Sequence, residues 1–395
     1  MKIAILGMGN IGSGVADVIL RDKELLTAAC GEEIEIKYVL DLRDFPGHPL
    51  EDRIVHSIDT IIADPEVGLV AEMMGGSHPA REFTLAALRA GKHVVTSNKE
   101  VVSNFGDEFT AEAEAQGVHY LFEASVGGGI PLIRPITDSL ASERIVGING
   151  IVNGTTNYIL TKVSTGVTFD SALAEAQRLG YAEADPSADV DAIDAQRKIT
   201  ILSALASGKL LSPSSVRAET IRGITPETLS LAGEFDGTVK LIAHASYTDD
   251  GRADLFAAPC FVPNGSPLAH ISDVYNGVLL DCSVSGELMF FGRGAGKYPT
   301  SGSVISDIVA AVTGKARRCR FERVGDEALL PHGEHVCRHF VAAPAEICKK
   351  IADTAGAENL IVSGTHGSMI LPPSPHGDAL GLTEKYEHVS VYRII

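Results

Sequence analysis

The stretch KIAILGMGNIGSGVADVIL, residues 2–20, limits the fold of this chain more than any other part of it. An apolar run that reads as a strand stops at Gly7, and an amphipathic helical pattern follows at once. Gly7, Gly9 and Gly12 stand in GxGxxG spacing at that turn. Such glycines let the backbone approach a pyrophosphate, which then rests on free N–H groups at the helix N-terminus. Alone, the motif is weak and also marks plain tight turns. Its strand-to-helix setting predicts dinucleotide binding through Gly7, Gly9, Asn10, Ile11 and Gly12.

The rest of the first third alternates short apolar runs (IKYVLDL, LVAEMMGG, HVVTSNK, YLFEASV) with helical stretches such as REFTLAALRAG. That alternation predicts a parallel sheet with crossover helices. Near Ile145 the texture changes. RIVGINGIVNGTTNYIL reads as a strand turning into a helix, and the later runs LFAAPCFV, GVLLDCSV and ELMFFG indicate an α+β domain. After about Lys315 a strand–helix–strand texture follows, and EHVSVYRII supplies a last strand. The expected fold class is α/β. It comprises a Rossmann-type nucleotide-binding domain over residues 1–135, an α+β domain over 136–294 and a small C-terminal α/β module over 316–395.

Composition narrows the partners. With 33 basic against 51 acidic residues the net charge is -18, which argues against nucleic acid or an anionic membrane. A small-molecule partner fits better. The apolar part of MKIAILGMGN is too short for a signal peptide, and no run approaches the roughly 18 residues of a membrane span. The six cysteines are scattered without CxxC pairs, as expected of reduced thiols in the cytoplasm.

Five further places carry candidate chemistry. Asp41 ends the second strand, later than the usual ~20 residues after the glycines, with the insert RDKELLTAACGEE accounting for the gap. It would bind a ribose 2′-hydroxyl and favour NAD, whereas Arg43 would pair with the 2′-phosphate of NADP. Lys99 lies just beyond a buried strand, where open α/β sheets hold ligands, though by itself it reads as a surface lysine. LFEASVGGGIPLI reads as a flexible linker, or as exposed carbonyls able to hold a hard monovalent cation.

GYAEADPSADVDAIDAQRK gathers Glu183, Asp185, Asp189, Asp191 and Asp194 ahead of Arg197 and Lys198. Some of these acids suit helix starts. Asp194 and Lys198 stand i,i+4, either as a surface ion pair or as a substrate-positioning carboxylate beside a proton-donating lysine. PHGEHVCRHF offers His332, His335, Cys337 and His339, more in keeping with a solvated edge strand than with a metal site.

Taken together, GMGNIG, TSNK, EASVGGGIPLI, GIVNGTTNYIL, GYAEADPSADVDAIDAQRK and GRGAGKYPTSGSV resemble homoserine dehydrogenases, in order from Lys2 to about Val312. The long acid-rich motif ending in Lys is the most specific. The resemblance implies NAD(P)-dependent interconversion of L-homoserine and L-aspartate 4-semialdehyde. It gives Glu183 and Asp194 to substrate binding and proton exchange to Lys198, and it places Lys99 between substrate and nicotinamide. Glu123, Val126, Gly128 and Ile130 match the family's sodium or potassium loop, and Gly180 and Gly296 fall where the family closes on cofactor. It also implies a nucleotide domain completed by about 295–315, a middle domain for substrate and dimerisation, and a homodimer or homotetramer.

Two departures stand out. Ala192 replaces a usual glycine and is expected to crowd the substrate by one methyl, and the tail is only loosely similar to a regulatory ACT-type module. Two other readings stay open: a dehydrogenase of another small aldehyde, against which Glu183 speaks, and a nucleotide sensor without catalysis, which would need neither Lys99 nor Lys198.

Overall fold

A computed structural model describes all of residues 1–395. The chain opens with β1 (Lys2–Leu6), α1 (Asn10–Arg21), α2 (Lys23–Cys30), β2 (Glu35–Leu40), β3 (Ile54–Val55) and α3 (Ile58–Ala63). Next come β4 (Val67–Glu72), α4 (Ala80–Arg89), β5 (His93–Thr96), α5 (Lys99–Gln116) and β6 (Tyr120–Leu121). The middle runs β7 (Ile145–Ile151), α6 (Gly154–Val163), α7 (Phe169–Arg178), α8 (Ser187–Val190), α9 (Ile193–Ser207), β8 (Lys209–Leu210), β9 (Arg217–Ala218) and α10 (Pro226–Gly233). It continues with β10 (Gly237–Tyr247), β11 (Ala253–Pro263), β12 (Tyr275–Cys282), β13 (Gly286–Arg293), α11 (Lys297–Thr313) and β14 (Glu322–Arg323). The last part is β15 (Val336–Pro344), α12 (Ala345–Ala355), β16 (Asn359–Ser363), β17 (His366–Pro375), α13 (His376–Lys385) and β18 (Ser390–Ile394).

These elements form two compact units. One holds Met1–Glu143, Thr200–Pro213 and Gly292–Val324, and the other holds Arg144–Ile199, Ser214–Phe291 and Gly325–Ile395. No helix is long and apolar enough to cross a membrane.

The first unit carries a six-stranded parallel sheet in the order β3-β2-β1-β4-β5-β6. Strands such as KIAIL are apolar along nearly their whole length because helices cover both faces of a parallel sheet. The insert seen in the sequence folds as α2, whose Leu26 joins the core. Val304, Ile305 and Ile308 of α11 enter the same core beside Ile3, Ile5 and Val15. The strand order reverses direction between β1 and β4, and such a reversal opens a crevice at the carboxyl ends of the strands.

The turn from β1 into α1 lies in that crevice. Gly7 adopts φ +89, and a Cβ on Gly12 would sit 1.9 Å from the Gly7 carbonyl oxygen. Gly9 differs, because a Cβ there would meet nothing within 4 Å. One glycine of the motif is thus required by the fold, while another leaves space in front of the helix.

The second unit is built on a ten-stranded sheet, ordered β13-β12-β7-β10-β11-β18-β15-β17-β16, with β9 also on β11. β10 and β11 pair antiparallel along their full length, from Gly237↔Pro263 to Tyr247↔Ala253. The segment β15–α12–β16–β17–α13–β18 is a βαββαβ arrangement of the ferredoxin-like kind. The solvated-edge expectation holds for Val336–Arg338, which are exposed or half-exposed and pair with β17 alone, and is corrected at His339. From His339 to Ala342 β15 is bonded on one side to β18 and on the other to β17, and His339 is fully buried, because the final apolar run covers the edge that the local pattern left open.

Between α8 and α9, Ala192 is buried at φ +63. A side chain in the left-handed region costs roughly 1–2 kcal/mol, and glycine escapes that cost. Backbone conformation is therefore the constraint that the structure places on this position.

The glycine turn yields a stability test. Gly12→Ala must open the turn, and we expect a loss of at least about 1–3 kcal/mol, as for other overpacked sites. Gly9→Ser faces open space at a helix N-cap and should leave the thermal midpoint close to the parent's. Thermal unfolding of the two variants checks the contrast.

Candidate active site

In the second unit, β7 ends beside Val152 and Asn153, and Asn153 starts α6. Its Oδ1 accepts the Thr156 N–H at 2.9 Å, while its Nδ2 donates to Asp189 Oδ1 at 2.7 Å and Asp194 Oδ2 at 2.8 Å. One amide therefore caps a helix and joins two carboxylates. Lys198, one turn beyond Asp194 on α9, donates from Nζ to Asp194 Oδ2 at 2.7 Å and to the Val152 carbonyl at 2.6 Å. Asp194 is 4% exposed and Lys198 is 8% exposed, so this is not a surface ion pair.

The other acids of the motif divide by task. Asp185 Oδ1 accepts both the N–H and the hydroxyl of Ser187 at the start of α8. Asp191 is bound by Arg222 Nε at 2.9 Å and by the Thr220 hydroxyl at 2.8 Å, so both stabilise local turns. Glu183 is exposed, with its carbonyl accepting from Gln177 Nε2. Gly180 lies just past the end of α7, at φ +77. Sequence reasoning missed Asn153 and the Val152 carbonyl, and counted Asp189 among the acids without its bond to Asn153. An Asn between a strand and a helix in NGTTNYIL signals an N-cap, but not its second task.

In the first unit a cleft of about 480 Å³ is lined by Gly7, Gly9, Asp41, Arg43, Met74 and Gly75, among others. Asn10 and Ile11 form the first turn of α1 behind it. Asp41 Oδ2 accepts the Met8 N–H at 2.8 Å, tying the end of β2 to the glycine turn. Arg43 Nε donates to Asp41 Oδ1 at 3.0 Å. Its hydrogen bond leads in holding the Asp41 carboxyl down at about 2, against the opposing effect of burial. The space before Gly9, the free helix N-terminus and Asp41 together fit a dinucleotide.

Lys99 is the first residue of α5, directly after its cap Asn98. Gly296 occupies the cap position of α11. Residues 123–130 are buried apart from Gly129, so the linker reading of EASVGGGI is set aside. The Glu123 carboxylate accepts the N–H groups of Leu132, Ile133 and Arg134 at 2.6–2.8 Å. Val126 and Ile130 are buried, and the Gly128 carbonyl accepts the Ser303 hydroxyl at 2.6 Å. Asp307 Oδ2 accepts the Glu123 N–H at 2.8 Å, and its buried Oδ1 has no hydrogen-bond partner. Arg134 Nε lies 3.7 Å from Glu123 Oε2 and 4.0 Å from Asp307 Oδ1, so the guanidinium faces both carboxyls.

The residues of PHGEHVCRHF go elsewhere. His335 Nδ1 lies 3.0 Å from Asp254 Oδ2, and Cys337 Sγ lies 3.4 Å from His339 Nε2. His332 approaches Glu219 and His376, with one ligating atom of each within 4.8 Å of the others. Arg393 Nη2 stands 2.9 Å from His332 Nδ1, so a cation already occupies that neighbourhood.

The family profile described as homoserine dehydrogenase matches residues 131–309, and that of its NAD binding domain matches residues 7–123. A homoserine dehydrogenase of Synechocystis is 42% identical, over 79% of this chain and 73% of its own length. The crystal structure of a homoserine dehydrogenase from Thiobacillus denitrificans superposes with a TM-score of 0.89 at 30% identity, covering 100% of this chain and 98% of that one. A hyperthermophilic archaeal homoserine dehydrogenase in complex with NADPH gives 0.69 at 27% identity, over 81% of this chain and 100% of that one. The chain belongs to the homoserine dehydrogenases, NAD(P)-dependent oxidoreductases that interconvert L-homoserine and L-aspartate 4-semialdehyde.

Proposed function

We propose that Lys198 and Asp194 manage the proton of this reaction and that Glu183 and Lys99 place the substrate. The observation that carries the reading is the buried Lys198–Asp194 pair at 2.7 Å, braced by Asn153. The nicotinamide, when bound, supplies or takes the hydride. In the reductive direction Lys198 gives a proton to the oxygen that develops negative charge, and in the oxidative direction its neutral amine takes the hydroxyl proton. Asp194 keeps the ammonium charged and oriented. Glu183 meets the substrate's ammonium group by a charge-assisted hydrogen bond, and Asp194 contributes on the side of the reacting oxygen. Lys99 stands between substrate and nicotinamide.

Gly7, Gly9, Asn10, Ile11 and Gly12 carry the pyrophosphate, with Gly180 and Gly296 closing on the cofactor. Asp41 favours NAD by accepting from a ribose hydroxyl, and Arg43, drawn to Asp41, is held from acting alone on a 2′-phosphate. Glu123, Val126, Gly128 and Ile130 hold sodium or potassium mainly by carbonyls. In domain terms, residues 1–135 with about 295–315 bind dinucleotide, 136–294 bind substrate and dimerise, and 316–395 sense an effector or support assembly. An exposed Phe291 on the margin strand β13 supports a homodimer or homotetramer, and six cysteines in no disulfide support a cytoplasmic setting.

Lys198→Ala should lower kcat by about 10²–10⁴-fold, the usual contribution of a positioned acid or base. NAD(P) affinity, measured by calorimetry, should hold. Asp194→Asn should lower kcat and raise KM for homoserine, whereas Glu183→Ala should act mainly on KM. A Lys198→Ala enzyme with parental turnover would end the proposal.

Cofactor choice has its own test. The parent should show the higher kcat/KM with NAD, and Asp41→Ala should shift the ratio toward NADP. A parent that strongly prefers NADP would contradict the reading of Asp41. Gly9→Val should abolish cofactor binding with the fold retained.

A further inference from the structure

Glu72, the last residue of β4, is completely buried in the nucleotide-binding unit. Its Oε1 accepts the Met74 N–H at 2.7 Å, and its Oε2 accepts the Thr96 hydroxyl at 2.6 Å. Thr96 Oγ1 in turn accepts the Asn98 N–H at 2.9 Å. Asn98 closes the circuit: its Nδ2 donates to the carbonyls of Met74 at 3.3 Å and Gly76 at 2.8 Å. Asn98 Oδ1 meanwhile caps α5 at the N–H groups of Glu100 and Val101. The circuit joins the strand-end segment 73–76 to the helix start that carries Lys99. The same segment backs the glycine turn, since a Cβ on Gly7 would lie 3.1 Å from the Met73 carbonyl oxygen.

None of the hydrogen-bond partners of Glu72 is cationic. The titratable group facing it is the buried phenol of Tyr120 on β6, whose hydroxyl has no partner. Burying a carboxyl without a counter-charge is costly, and a fold that needed only a strand end would do better with an apolar residue.

We propose that Glu72 is a positioning residue for hydride transfer: its carboxylate locks the 73–76 wall of the cofactor cleft to the α5 start, and so sets the placement of Lys99. This rests on the roles given above to Lys99 and the glycine turn. Burial pushes the Glu72 carboxyl up to about 7, with hydrogen bonds from Thr96, Met74 and the Asn98 side chain opposing. The ionised form accepts from both the Met74 N–H and the Thr96 hydroxyl. On protonation one oxygen must donate instead, and Thr96 Oγ1, already accepting from Asn98, must redirect its own proton. The lock is therefore tight above neutral pH and loosens as pH falls through about 7.

The experiment compares Glu72→Gln, Thr96→Val and Thr96→Ser with the parent, reading kcat, KM, the pH dependence of kcat and dinucleotide affinity. Glu72→Gln is nearly isosteric and should lower kcat about tenfold or more at pH 8. It should also weaken dinucleotide binding and lose the fall in kcat expected of the parent from pH 8 to pH 6. Thr96→Val should behave alike, and Thr96→Ser should restore the parent's values. If Glu72→Gln is insoluble, the Val and Ser variants decide alone. Parental kcat and pH profile in Glu72→Gln, or in Thr96→Val, would overturn the inference. Lys99→Ala separates the two ideas. If it keeps parental turnover, the role given to Lys99 fails; if it is inactive while Glu72→Gln is normal, only the positioning role fails.

Discussion

Lys198 carries its ammonium group where little water reaches it, and the middle of the chain is arranged to make that tolerable. Removing an ion from water costs several kcal/mol even after relaxation, and attraction repays it only when geometry and extra hydrogen bonds are good. Here one carboxylate oxygen of Asp194 serves Lys198 and Asn153 together, and the Val152 carbonyl takes a second lysine proton. Those partners come from the end of a strand, the cap of one helix and the first turn of another. Each element must therefore stop or start where it does. Shifting the β7 end by one residue would turn Val152 away and cost the lysine that carbonyl.

The two units solve their sites by different means. The nucleotide unit relies on backbone shape, with a turn so tight that Gly12 leaves no room for a methyl beside Gly7. The other unit relies on side-chain networks and tolerates a local penalty: Ala192 holds a left-handed backbone immediately before the helix that presents Asp194 and Lys198. A residue fixed there against its preference is held by its surroundings, which is how strained positions persist next to working groups.

Much of this was readable from residues alone, and the exceptions share a cause. The parallel sheet, the glycine turn and Asp41 follow from local periodicity and spacing, which survive without knowledge of neighbours. The i,i+4 spacing of Asp194 and Lys198 is the same for a surface pair and for a buried one. Burial depends on what packs above the helix, and that is not local. Asn153 reads as a cap, but its amide partners lie 36 and 41 residues further on. Glu72 looks like an acid ending an apolar run. Its isolation from water arises because β1 and β5 flank it on both sides. The first residues of β15 alternate as an edge strand would, and the distant run at 390–394 makes the strand interior only from His339 on.

That last strand has a consequence for how the chain is made. β18 slots between β11 and β15, pairing Cys260↔Arg393 on one side and running from His339↔Arg393 to Ala342↔Ser390 on the other. Until residues 390–394 have been synthesised, those stretches of two largely apolar strands have unsatisfied backbone edges facing each other. Exposed strand edges invite pairing with other chains. The nascent protein thus passes through a period in which its largest sheet is divided and adhesive, and the interval ends only when a strand five residues long is delivered.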